Sequence, residues 1–339
     1  MQTKPLNEIA CWHNVTPKIF ANEILPLHKP AVLKGLVKDW PVVTQAQKSI
    51  EHLYQYFSNI YAGGDIQFAR IPPAEKGRFF YNQDMSDFNF KREVGPLDKF
   101  FRDVLANSLD NNAETLALQS APVADYFPDF EKQNPFQFFT KKVPPRIWIG
   151  NNSVVSAHYD DSENIACVVS GKRIFTLFPP EQIENLYVGP MDFTPAGAPL
   201  SLVDFNKPDF EKHPKFQTAL DNALVAELEP GDAIYIPSLW WHHVRALGGV
   251  NVLVNYWEGG AINGSTKPVP ADTILMAMLS IRNLPLEQKK MWKALFDYYI
   301  FSDQNQKYEH IPEHVRGILD PLTEQSKKGI KNWLKKQLK

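Results

Sequence analysis

The sequence predicts a mainly β core, a barrel or a sandwich, with helices on its flanks. Two observations carry this. Between about residues 144 and 257, short apolar runs recur with Gly, Asp and Pro turns between them. After Gly260 the apolar period changes to that of helices. A chain of 339 residues can hold one large β domain with helical additions, or two domains.

The elements follow in order. Thr16-Pro17-Lys18-Ile19-Phe20 reads as a helix start, with Thr as N-cap and Pro at the first helical position. Ala31-Val32-Leu33-Lys34-Gly35-Leu36 reads as a short strand ending in a turn. Residues 71–95 carry Pro, Gly and many rings, including Arg78-Phe79-Phe80-Tyr81. They predict a structured excursion over the core rather than a linker. Together these form an N-terminal mixed α/β region, 1–115.

The β core is expected over 116–260. Arg146-Ile147-Trp148-Ile149-Gly150 is one strand. Residues 165–169 and 172–178 read as a strand pair joined at Ser170-Gly171. Gly231-Asp232 turns into Ala233-Ile234-Tyr235-Ile236, and 252–257 form a late strand. Residues 181–230 read as an irregular, Pro-rich insert.

A helical region is expected over 261–339. Ile274, Leu275, Met278 and Leu279 share a helical face. Leu284-Pro285 breaks that helix and starts another, whose stripe is Met291, Trp292, Leu295, Phe296 and Tyr299. A last helix runs from Pro312 or Pro321 to Leu338. The stripes exceed what a short bundle needs, so they serve an intramolecular core or a homodimer interface.

Composition excludes some classes. Net charge is −2, from 36 Lys and Arg against 38 Asp and Glu. That gives no electrostatic case for nucleic acid or a membrane surface. The lysines from Lys327 to Lys339 read as the solvated face of the last helix. Cys11 and Cys167 form neither a disulfide framework nor a zinc spacing, which fits a reducing cytoplasm. The first residues, Met1 to Leu6, lack an apolar leader core, and no run of ~18 apolar residues occurs. A soluble, cytoplasmic protein is expected.

The chemistry is concentrated in His158-Tyr159-Asp160 and a later His242. In an extended segment, His158 and Asp160 point to the same side. Two imidazoles and one carboxylate on one face of a metal leave three positions open, as in non-haem Fe(II) oxygenases. By spacing alone, His158 and Asp160 fit a surface histidine–carboxylate pair equally well. The doublet His242-His243 leaves open which ring faces inward. Arg173 stands on one strand face with Phe175 and Leu177, so its charge needs a partner, either a carboxylate ligand or a local acid. Asn164 and Asn255 are amides in apolar strands, able to line a pocket or to satisfy backbone.

With these residues in order, a resemblance emerges. His158-Tyr159-Asp160-Asp161 with Asn164, then 171–180 (Gly-Lys-Arg-Ile-Phe-Thr-Leu-Phe-Pro-Pro), resembles the JmjC, cupin-like 2-oxoglutarate oxygenases. Gly231 to Pro237, Trp240-Trp241-His242-His243 and Asn255-Tyr256-Trp257 continue the match. Within that family the chain is similar to the asparaginyl hydroxylase that inhibits hypoxia-inducible factor. Bacterial cupin-like proteins share its opening, 30–41. The resemblance spans roughly 16–260.

It implies a double-stranded β-helix (a jelly roll); the apolar stripe near Trp292 and Phe296 predicts a C-terminal helical dimerisation region beside it. The resemblance implies His158, Asp160 and His242 as ligands of Fe(II), with His243 as a neighbour. Asn164 and Asn255 would line the 2-oxoglutarate pocket. Arg173 falls where the family commonly has a lysine for the distal carboxylate. Val155 and Ala117 replace a threonine and a tyrosine that bind the co-substrate, a loss for which Arg173 and Ser156 could compensate. The implied activity uses 2-oxoglutarate and O2 to hydroxylate a protein or peptide side chain, releasing succinate and CO2. The alternatives are a modified RNA nucleotide or small metabolite as substrate, or a cupin that binds metal without turnover.

Overall fold

Apolar runs in the first three-quarters of the chain resolve into one thirteen-stranded sheet. A computed structural model describes residues 7–110, 112–195, 197–260, 269–302 and 308–338. Residues 1–6, read above for a leader, and Lys339 of the terminal lysines lie outside them. The strands are β1 (Asn7–Glu8), β2 (Ala10–His13), β3 (Ala31–Lys34), β4 (Asp65–Ile71), β5 (Arg78–Phe79), β6 (Lys91–Pro96) and β7 (Thr115–Pro122). They continue with β8 (Arg146–Gly150), β9 (Val154–His158), β10 (Glu163–Phe178), β11 (Leu224–Leu228), β12 (Ala233–Ile236) and β13 (Trp241–Glu258).

Two long strands organise the rest. β10 and β13 run antiparallel along their length, with register shifts around Val168, Ser170 and Lys172. Before the shifts, β10 pairs with β12; after them it pairs with β11. The late half of β13 pairs with β8, and its early half pairs with β9. Each long strand therefore passes from one layer to another, with the bulges supplying the bend. One layer runs β2-β3-β12-β10-β13-β8-β7-β4-β6, and the other joins β1, β11, β10, β13, β9 and β5. This is the jelly-roll arrangement that the resemblance implied.

The reading of 165–178 as two strands joined at Ser170-Gly171 is corrected here. It is one bent strand. Gly171 takes φ +71°, and a Cβ there would lie 2.5 Å from the Asn251 side chain. Glycine permits the corner that a side chain would block. The end of the expected irregular insert also differs, because its last residues add β11 to the second layer.

Three apolar layers result. Ala166, Val168, Ile234, Ile236 and Leu253 of one layer meet Phe175, Leu177, Leu228 and Val244 of the other, forming the interior. The outer face of the first layer is covered by helices Pro41–Lys48, Ile50–Asn59 and Leu97–Ser108 through Val42, Val43, Leu53, Phe57, Phe100 and Val104. The outer face of the second layer is covered by the insert, where Leu186, Val203 and Phe216 pack on Ala157, Phe178 and Trp241. The excursion over 71–95 is packed as expected, with Phe79, Tyr81 and Phe90 buried.

The chain divides into two units, 1–266 and 267–339. In the second, helices Pro270–Ser280, Leu286–Phe296 and Glu324–Gln337 bury none of their residues. Leu279, Met291 and Phe301 are each at least two-thirds exposed. No helix among the described residues is long and apolar enough to cross a membrane.

Candidate metal centre

The site begins with a bulge. On β13, His242 and Val244 are two residues apart, whereas their partners on β9, His158 and Val155, are three apart. The extra residue lets both His158 and Val155 sit opposite inward-facing neighbours. The chain then leaves β9, and Asp160 follows in the loop. His158, Asp160 and His242 each offer a ligand atom, all within 4.8 Å of one another. The two imidazole centroids are 4.2 Å apart.

Hydrogen bonds fix which nitrogen each ring presents. His158 Nδ1 donates to the Ser156 carbonyl at 3.0 Å, and His242 Nδ1 donates to the Trp240 carbonyl at 3.1 Å. A carbonyl only accepts, so each Nδ1 carries the proton and Nε2 is the nitrogen left to face a metal. His242 Nε2 lies 3.6 Å from Asp160 Oδ2. Burial, and then the neighbouring His158, hold His242 well below its ordinary pKa, so it is a neutral donor. Two imidazoles and a carboxylate suit Fe(II) with open positions, so the residues fit that ion.

The carboxylate is steered from the first layer. Trp257 Nε1 donates to Asp160 Oδ2 at 3.0 Å, and Asn164 Nδ2 does so at 3.3 Å. Asn255 Nδ2 reaches Asn164 Oδ1 at 3.4 Å, and Trp148 Nε1 donates to Asn255 Oδ1 at 2.6 Å. Asn164 and Asn255 therefore bond side chains rather than backbone. The loop is tied as well, since Leu239, at φ +66°, donates its N–H to the Asp160 carbonyl at 2.8 Å.

Arg173 lies on the opposite layer, facing Leu228 on one side and Ala246 on the other. It is not at an edge. It is 5% exposed, its Nε is buried without a partner, and no carboxylate pairs with it among the described residues. Burial pushes its pKa down to about 10, which leaves it charged at neutral pH. It shares a strand face with Leu177, which sits opposite His242. Four residues of strand place it roughly 13 Å along from the triad.

His243 points the other way. It stacks on Phe205 of the insert at 4.5 Å, and burial, with Arg78 and Arg245 next, holds its pKa down at about 3. Only His242 of the doublet joins the triad. Val155 packs into the interior, while Ala117 lies under the excursion with Phe79 and Phe90. The Ser156 hydroxyl accepts from Arg78 Nε at 3.1 Å, which leaves its own O–H as a donor. Sequence reasoning passed over Trp257 and Trp148 as site residues. Trp257 had a signal: it follows Asn255 at period two, on the same strand face.

Comparison with known proteins bears on the family. A cupin-like domain model matches residues 17–257. JmjC domain-containing protein D of Dictyostelium discoideum is 26% identical over 247 residues, 67% of this chain and 51% of that protein. tRNA wybutosine-synthesizing protein 5 of Danio rerio is 24% identical over 310 residues, 80% of this chain and 84% of that protein. Lysine-specific demethylase 8 of Danio rerio is 24% identical over 265 residues, 75% and 59% of the two chains. The chain thus spans about half the length of the Dictyostelium discoideum relative. With the match covering most of its length, the chain belongs to the cupin-like domain family.

Proposed function

We propose that this chain is an Fe(II)- and 2-oxoglutarate-dependent oxygenase that hydroxylates a side chain of a protein or peptide. The observation that carries the reading is Arg173, a buried cation without an acid, facing the same interior as His158, Asp160 and His242. A buried charge is costly unless something pairs with it, and a guanidinium fork suits a carboxylate. Iron, 2-oxoglutarate and O2, when bound, supply the oxidising chemistry, with succinate and CO2 released.

The chain's own residues do the rest. His158, Asp160 and His242 would hold Fe(II). Trp257 and Asn164 orient the Asp160 carboxylate, and Asn255 holds Asn164. Arg173 would take the distal carboxylate of 2-oxoglutarate. Phe175, Leu177, Val244 and Trp148 wall the interior with apolar surface, which excludes water and strengthens that ion pair.

Charge supports a peptide. The unit carrying the triad, 1–266, holds 23 Lys and Arg against 30 Asp and Glu. Such a field repels a polyanion and favours a neutral or basic segment. A second reading, a modified RNA nucleotide, draws on the similarity to the wybutosine-synthesizing protein, which extends over most of both chains. Exposed Leu279, Met291 and Phe301 support a homodimer through the C-terminal helices. Two free cysteines fit the cytoplasm.

Succinate formation tests the reading. The iron-loaded protein is incubated with 2-oxoglutarate and O2, using a peptide array and bulk tRNA as alternative probes. The expected result is peptide-stimulated succinate that His158→Ala abolishes. Stimulation by tRNA alone would favour the second reading. No succinate with either probe, together with no Fe(II) binding, would remove the enzyme altogether.

A further inference from the structure

We propose that Arg78 is a positioning residue for His158, acting through the β9 bulge. The inference rests on the metal-centre reading above. Arg78 belongs to β5, which runs parallel to the start of β9 and comes from the excursion rather than from the core. Its guanidinium reaches two other segments at once. Nε donates to Ser156 Oγ at 3.1 Å, and Nη2 donates to the Val203 carbonyl at 3.0 Å and the Leu202 carbonyl at 3.5 Å. The Phe80 ring covers its other face, 3.6 Å from Cζ to the ring centroid.

The partners give the arginine its meaning. Ser156 lies inside the bulge, between His158 and Val155, and its carbonyl is the acceptor for His158 Nδ1. The Ser156 hydroxyl that the arginine holds and the carbonyl that orients the imidazole therefore belong to one residue. A bulge has lost ladder hydrogen bonds and needs other contacts to keep one geometry. Arg78 supplies such a contact from outside the sheet. It also ties the bulge to residues 202 and 203, the segment that follows Leu200, itself bridged to His158. Burial lowers the pKa of Arg78, and Asp204 and Glu75 are near enough to favour its charge, yet neither pairs with it. Carbonyls, one hydroxyl and a ring hold this cation, an arrangement that fixes direction rather than maximising attraction.

A purely structural role predicts a loss of melting temperature alone. A positioning role predicts a change at the metal. Groups that orient a metal-bound histidine typically contribute about 10–100-fold to metal affinity.

Co(II) binding to the full chain, read by its visible absorption spectrum and by titration, separates the two. Arg78→Gln should weaken Co(II) binding about tenfold or more and alter the spectrum. Ser156→Ala, which keeps the Ser156 carbonyl and removes only the hydroxyl, should do the same to a smaller degree. The double variant should lose no more than Arg78→Gln alone, because both remove one link. Arg78→Lys should fall between Gln and wild type. Unchanged Co(II) affinity and spectrum in Ser156→Ala and Arg78→Gln, while wild type binds normally, would overturn the proposal. Strict additivity in the double variant would also overturn it. A wild type that binds no Co(II) would instead remove the metal-centre reading on which the proposal stands.

Discussion

His158 and His242 face each other across β9 and β13, and each Nδ1 is held by the carbonyl two residues before it. The same local device serves both rings. It turns both Nε2 atoms toward the space beside Asp160 and sets the tautomer before any ion arrives.

Removing a ring should therefore remove the ion. His158→Ala and His242→Ala are expected to weaken Mn(II) binding by more than about 100-fold. Trp257→Phe keeps the ring but loses the donor to Asp160, and should weaken binding about tenfold. Equilibrium dialysis against Mn(II) measures all three, with circular dichroism as the check on folding. Unaltered binding in Trp257→Phe would show that the indole only packs.

On the proposed reading, Arg173 sets stability against function. Without ligand, its buried charge is a cost. Arg173→Met should raise the melting temperature of the ligand-free protein, by about 1 kcal/mol or more in stability. The same change should abolish the additional stabilisation that 2-oxoglutarate gives the metal-loaded wild type. Thermal melts with and without 2-oxoglutarate read both effects. A variant less stable than wild type in the absence of ligand would mean that the guanidinium already has partners.

His243 gives the fold a pH dependence. Its pKa is about 3 in the fold against 6.5 ordinarily, so between these values unfolding takes up a proton. Stability is fully present above about pH 6.5 and falls as pH drops toward 3, by at most about 1.4 kcal/mol per pH unit. His243→Phe keeps a ring against Phe205 and removes the titration. Melting curves from about pH 7 to pH 4 should then fall less steeply than in wild type. Parallel profiles would contradict the assignment.

Gly171 should resist substitution. Gly171→Ala forces a left-handed backbone and drives a methyl into Asn251. A loss of about 2 kcal/mol or more is expected in urea unfolding. A neutral outcome would mean that the corner can relax.

Much of this architecture was legible in the residues. Gly231-Asp232 announced β12, and Leu284-Pro285 separated two helices as expected. His-x-Asp placed two potential ligands on one side. What stayed hidden was whatever depends on register. A single strand that changes layers at Gly171 looks, in one dimension, like two strands and a turn. The choice between His242 and His243 needs the cross-strand partner, since adjacent strand residues differ only in the face they take. Arg78 lies 80 residues before His158, and no local pattern links them. Trp257 and Asn255 gave a period-two signal, but only the fold reveals that the indole reaches Asp160.

The central claim is that one interior holds both a metal triad and an anchor for a dicarboxylate. Calorimetric titration of 2-oxoglutarate into the Mn(II)-loaded protein tests it most directly. The account predicts saturable binding that requires the metal, disappears in His158→Ala, and weakens about 10–100-fold in Arg173→Gln, the range for a charge-assisted hydrogen bond. No binding to the metal-loaded wild type, or equal binding by Arg173→Gln, would contradict it.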